Sequence, residues 1–91
     1  MKATMIDDRD NVAVVLGDVK AGDTITVTKN NETRSIIAVS DIPRYHKTSI
    51  KLIPAQSPVV KYGEHIGLAA EDIQPGTHVH VHNVLSNRED L

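Results

Sequence analysis

The sequence predicts an all-β domain with little helix, built as a compact, barrel-like or clipped arrangement of short strands. Three observations predict it. Apolar residues come in short β-branched runs that alternate with period two instead of the helical 3.6. Turn formers separate these runs, and Pro43, Pro54 and Pro58 leave no room for a long helix in the middle of the chain. The 91 residues include no Trp, no Phe and only Tyr45 and Tyr62 as aromatics, so the core must be made of Val, Ile, Leu and Ala.

Asn11–Leu16 is an apolar, Val-rich run too short for a typical helix. Thr24–Thr28 alternates strictly, as a half-buried strand does, and Asn30-Asn31 reads as a hairpin turn into a second β-rich run over Thr33–Val39. Pro58–Tyr62 and Thr77–Val81 complete the strand set. A helical turn fits near Gly67–Asp72, where Leu68, Ala69 and Ala70 precede Glu71. A weak repeat joins Asp18-Val19-Lys20-Ala21-Gly22-Asp23 to Asp72-Ile73-Gln74-Pro75-Gly76-Thr77, and Lys51–Gln56 resembles a third copy without its acid and its Gly. Each full copy predicts a turn that launches a strand, the acid capping the bend and the Gly taking a left-handed backbone. Three copies are too few to stack as a solenoid.

Composition narrows the function. A chain of this length, 1–91, predicts one small domain, a good candidate for support by a partner chain or second domain. Net charge is −2 and the basic residues are scattered, so nucleic acid is not an expected partner. No apolar run approaches the ~18 residues that span a bilayer, and no basic-then-apolar signal comes after Met1, so no membrane role is expected. The chain has no Cys, hence no disulfide and no thiolate metal site, which fits a reducing cytoplasm. Phosphate-binding loops and nucleophile motifs are also missing from the sequence.

Chemistry concentrates between Lys61 and Asn83, which holds four of the five histidines. His78, His80 and His82 alternate with Val79 and Val81, and on a strand that places three imidazoles on one face and two valines on the other. His-x-His on a strand is a workable two-ligand element, so His80 and His82 are candidate metal ligands. The same pair suits a substrate carboxylate, a partner's acids, or simply a solvated face above a valine core. His46-Lys47 comes directly after Pro43-Arg44-Tyr45 in a loop and offers cationic donors to an anion: Lys47 as a point charge, His46 as a proton carrier. Lys61 and Tyr62 are candidate contacts to substrate or partner, while Gly63 and Gly67 read as turn or close-approach positions. Asp10-Asn11 either stabilises a turn or, with Asp7 and Asp8, supplies oxygen ligands to a hard divalent metal.

Taken in order, Asp10-Asn11-Val12-Ala13-Val14, His46-Lys47, Lys61-Tyr62-Gly63 with Ile66-Gly67, and His80-Val81-His82-Asn83 carry a family resemblance. The chain resembles the N-terminal SAF-type domain of altronate and galactarate dehydratases, and the separate small subunit of sulfolactate sulfo-lyase. The likeness runs over residues 5–91, and Asn87-Arg88-Glu89-Asp90-Leu91 is similar to the segment after the His-x-His-Asn element in altronate dehydratases. One position departs: members often carry His where Asp7 stands, and a carboxylate there accepts a proton but is no imidazolium donor.

The resemblance implies a SAF-type β-clip fold and a role as small subunit or N-terminal domain of a cytoplasmic hydro-lyase. Such an enzyme dehydrates an altronate-like sugar acid to a 2-keto-3-deoxy acid, and most of its catalytic machinery lies in a large partner subunit or domain. A divalent metal is implied for the full enzyme. Catalytic roles fall on His46, Lys47, His80 and His82, metal binding on His80 and His82, and substrate contacts on Asp10, Asn11, Lys61, Tyr62 and Asn83. His78 is less characteristic of the family and is expected at the surface. The alternatives are a sulfolactate sulfo-lyase small subunit, a non-catalytic binding module of the same fold, and a stand-alone metal-binding protein.

Overall fold

The computed structural model describes residues 1–29 and 31–85, which form nine short strands and no helix. In chain order these are β1 (Lys2–Thr4), β2 (Val12–Val15), β3 (Thr24–Lys29), β4 (Glu32–Ile37), β5 (Lys47–Ser49), β6 (Pro58–Lys61), β7 (Glu64–Ala69), β8 (His78–Val79) and β9 (Val84–Leu85). Six make one sheet in the order β4-β3-β1-β2-β5-β8, and β6-β7-β9 make a second. β1 lies parallel to β3 and antiparallel to β2, so the N-terminal strand is inserted between two later ones. The all-β expectation holds.

Two expectations are corrected. Gly67–Asp72 contains no helical turn; its first half is the end of β7, with Gly67 and Ala69 buried and Leu68 half-buried. Small residues face inward there because β9 runs close by: a Cβ on Gly67 would meet the Leu85 carbonyl oxygen at 2.5 Å. The strand expected over Thr77–Val81 is only His78–Val79, and the chain turns away at His80. Of the predicted Asn30-Asn31 turn, Asn30 lies outside the described residues, as do Asn87–Leu91.

The repeat proves fourfold. Asp18–Gly22, Asp41–Tyr45, Leu52–Gln56 and Asp72–Gly76 are five-residue turns of one design. Each places a left-handed residue fifth, with φ of +95° at Gly22, +66° at Tyr45, +71° at Gln56 and +84° at Gly76. The fifth N–H donates to a carbonyl in or just beyond a strand in every copy: Ala38 (2.8 Å), Val15 (2.9 Å), Ala69 (2.8 Å) and Ser49 (2.9 Å) respectively. The second residues pair the turns, Val19 with Ile42 and Ile53 with Ile73, through reciprocal backbone bonds of 2.8–2.9 Å. Each pair plugs one of two apolar clusters, Val19 and Ile42 packing with Ala13, Val15 and Ile25, and Ile53 and Ile73 with Val12, Val59 and Val79.

The acids cap the partner turn and not, as expected, their own bend. Asp18 accepts from the Arg44 N–H (2.9 Å), Asp41 from the Ala21 N–H (2.9 Å) and Asp72 from the Ala55 N–H (2.8 Å). The fourth acid would face Pro75, which has no N–H, and Leu52 stands in its place. The copy without an acid is thus the one whose partner offers nothing to bond.

Candidate functional site

Two of these turns deliver the histidines. His46 comes next after Tyr45 and leads into β5, while His78 begins β8 two residues after Gly76. β5 and β8 pair antiparallel, Lys47 opposite Val79 and Thr48 opposite His78. Beyond Val79 the chain closes a turn around Asn83, which is 3% exposed. Its Oδ1 accepts from the His80 N–H (2.9 Å), its Nδ2 donates to the His78 carbonyl (2.9 Å) and its own N–H donates to the His80 carbonyl (3.0 Å). Val79 is wholly buried but Val81 is 82% exposed, so the two valines do not share a core face.

The turn still gathers the imidazoles. His46 lies against His80 (ring centroids 4.5 Å) and His78 (5.1 Å), and His78 lies 5.6 Å from His80 and 5.1 Å from His82. Nδ1 of His46 and Nε2 of His78 are 2.9 Å apart. His78, expected at the surface, is the half-buried hub of this group, close to the other three rings. Burial, then the neighbouring imidazoles and Lys47, push its pKa down to about 4. Burial also lowers His80, ahead of charge from His46, Lys47 and His82. His65, the fifth histidine, is exposed on β7 and contributes no ring contact to the group.

Lys47 is half-buried beside the cluster, its pKa lowered by burial and then by the charge of Lys61. With Ile66, His80, Val81 and Val84 it lines a cleft of about 170 Å³. The charges that perturb His78, His80 and Lys47 come from imidazoles and lysines, with no carboxylate among them. Burial and these like charges favour the neutral rings of His78 and His80, proton acceptors beside Lys47. A larger cavity of about 490 Å³ lies at β3 and β4, lined by residues such as Met5, Val27 and Glu32. Its lysine is committed, Lys29 to Asp8 at 2.6 Å, and Arg34 donates to the Ile50 carbonyl. We place the chemistry in the smaller cleft, because the imidazoles converge there.

The remaining expected residues hold the frame. Asp10 is 1% exposed and its carboxylate accepts from the backbone N–H groups of Ile6 (3.1 Å), Asp7 (3.1 Å) and Gly63 (2.8 Å). Burial raises its pKa, but these bonds outweigh burial and leave it below the usual value. Asn11 brackets β6, donating to the Pro58 carbonyl (2.9 Å) and accepting from the Val60 N–H (2.8 Å). Asp10, Asn11 and Asn83, expected to contact substrate, spend their polar atoms on the backbone instead. No oxygen-ligand metal cluster forms at Asp7–Asp10 among the described residues: Asp7 is tied to Arg9, whose hydrogen bonds hold it at about 2, and Asp8 to Lys29. Lys61 sits with its ammonium 5.3 Å from the Tyr62 ring, and Tyr62-Gly63 form the β6–β7 turn with φ of +55° and +79°.

Ring nitrogens of His46, His78 and His80 lie within 4.8 Å of one another. Imidazole-only donors suit zinc, copper, iron or nickel, whereas calcium, magnesium and manganese prefer oxygen. The donor set therefore fits a transition-metal ion, with His46 and His78 in place of the expected His82.

Paired turns that gather four imidazoles beside a cleft describe a small all-β domain of the SAF type. The chain belongs to the altronate/galactarate dehydratase SAF domain family, whose model matches residues 1–87. It is 37% identical over 91 residues to altronate dehydratase of Escherichia coli strain K12, covering all of this chain and 18% of that protein. It is 37% identical over 86 residues to altronate dehydratase of Bacillus subtilis strain 168, covering 94% of this chain and 16% of that protein. It is 40% identical over 62 residues to (2R)-sulfolactate sulfo-lyase subunit alpha of Paracoccus pantotrophus, covering 68% of this chain and 92% of that one. The chain thus spans less than a fifth of the altronate dehydratases and nearly all of the sulfo-lyase subunit.

Proposed function

We propose that this chain is the small, N-terminal part of a cytoplasmic lyase that eliminates water from a sugar acid, acting with a large catalytic subunit or domain. The observation that carries the reading is the gathering of four imidazoles, one of which, His80, lines a cleft together with Lys47, in a chain of this family. In the reaction a base takes the C2 proton, the C3 hydroxyl leaves as water, and the enol formed becomes a 2-keto-3-deoxy acid. Lys47, with Lys61 nearby, attracts the substrate carboxylate, and the imidazoles carry protons and hold the divalent metal. When bound, that metal stabilises charge growing on the carboxylate. The rest of the machinery comes from the partner, since 91 residues supply only one wall of such a site.

A second reading is a sulfo-lyase small subunit, releasing sulfite instead of water. It is favoured by the 40% identity that runs over 92% of that enzyme's subunit alpha. A cleft with two lysines nearby also suits the two negative charges of a sulfonated acid. Mixing the chain with a candidate large catalytic subunit, and assaying 2-keto acid from altronate and galactarate and sulfite from sulfolactate, separates the readings. Turnover is expected only in the mixture. Equal turnover by the large subunit alone refutes a catalytic contribution from this chain.

A further inference from the structure

Three separate backbone devices bring ring nitrogens of three histidines within 4.8 Å of one another. The Tyr45 turn sets His46, the Gly76 turn and a 3.0 Å bond from the His78 N–H to the Ser40 hydroxyl oxygen set His78, and Asn83 sets His80. One imidazole hydrogen bond, between His46 and His78, accounts for two of the nitrogens and leaves the convergence of the third unexplained. Ligand nitrogens ~2.1 Å from one ion and at right angles sit ~3 Å apart, which is the spacing of adjacent ligands. The His46–His78 pair, at 2.9 Å, has that spacing.

The geometry points to a metal site made by His46, His78 and His80, with His82 outside it, whose ion leaves positions open to a 2-hydroxy carboxylate. All three donors are imidazoles, so the ion is a divalent first-row transition metal. The cleft beside His80 leaves room for an organic ligand, and Lys47 on its wall meets the ligand's negative charge. A 2-hydroxy acid offers a carboxylate and a neighbouring hydroxyl oxygen, a natural chelating pair for two open positions. The ligand class rests on the lyase reading; the ion site rests on geometry alone. His82, left free of the ion, stays available to move a proton.

Titration of the full 91-residue chain with Co²⁺, tracked by its visible absorption, tests the site. One ion per chain is expected, with His46→Ala, His78→Ala and His80→Ala each weakening binding about a hundredfold or more. His82→Ala leaves binding unchanged. Circular dichroism of each variant separates ligand loss from unfolding, and a readout without variants covers any that unfolds: trace Mn²⁺ broadens the ring signals of His46, His78 and His80 ahead of His65. No binding tighter than about 1 mM overturns the site. Loss in His82→Ala equal to that in the other three overturns the ligand set. Tartrate added to the Co²⁺ form should shift its absorption, and an unshifted spectrum overturns the ligand class. A chain that binds the ion yet supports no turnover in the reconstituted lyase refutes the functional reading and leaves the site standing.

Discussion

Asp10 shows how a residue can look like chemistry and be scaffold. Read from sequence, Asp10-Asn11 is a turn or a source of oxygen ligands to a metal, and by the resemblance a substrate contact, because burial is the deciding quantity and a dipeptide does not carry it. At 1% exposure, with backbone N–H donors on both oxygens, its work is to join residues 6–10 to the β6–β7 turn. Asp10→Ala strands these buried donors and is expected to cost about 3 kcal/mol in urea unfolding. His78 was hidden for the opposite reason: its neighbours in space, His46 above all, are distant in sequence. Its pKa of about 4 against an ordinary 6.5 means the folded chain prefers the neutral ring. Between those values the unfolded chain binds more protons, so stability is full above pH ~6.5 and falls as pH drops towards ~4. Thermal melts of the metal-free chain should show this fall, and His78→Asn should flatten it.

The turns are the unit of design among the elements, and their legibility depended on glycine. The copies at Asp18 and Asp72 were readable because Gly22 and Gly76 mark the left-handed position. The copies at Asp41 and Leu52 escaped full recognition because Tyr45 and Gln56 hold that position despite their Cβ atoms. Tyr45→Gly relieves a left-handed tyrosine at the expense of the Arg44 contact to its hydroxyl, and should stabilise the fold by about 1 kcal/mol. Gly22→Ala, with open space around the new methyl group, should cost only about 1 kcal/mol. Gly76→Ala drives a Cβ into the Ile37 carbonyl and should cost at least about 3 kcal/mol by the same denaturation measurement. Equal effects of the two alanines would contradict this packing. The β7 misreading has a like cause: Gly67-Leu68-Ala69-Ala70 has helix-like composition, and only the approach of β9 explains small residues in a strand.

Across the whole molecule, the all-β class was legible because β-branched runs and turn residues report it locally. The two-sheet arrangement was not, since β1 and β9 are too short to signal and the insertion of β1 between β2 and β3 is a long-range choice. The core holds no aromatic residue; its largest buried side chains are isoleucines such as Ile25, Ile42, Ile53 and Ile73. At the cleft, Val81 is 82% exposed and Leu85, next to Val84, is 50% exposed, an apolar rim suited to being covered by a partner. On this reading the histidine face forms one wall of a shared lyase site, and the catalytic role of the chain depends on that. The sharpest test is kcat of the reconstituted lyase carrying His46→Ala or His80→Ala, with matched assembly confirmed by sedimentation. The complexes should form normally and turn over at least about a hundredfold more slowly. Normal assembly with undiminished kcat would refute the shared site and leave the domain a structural cover.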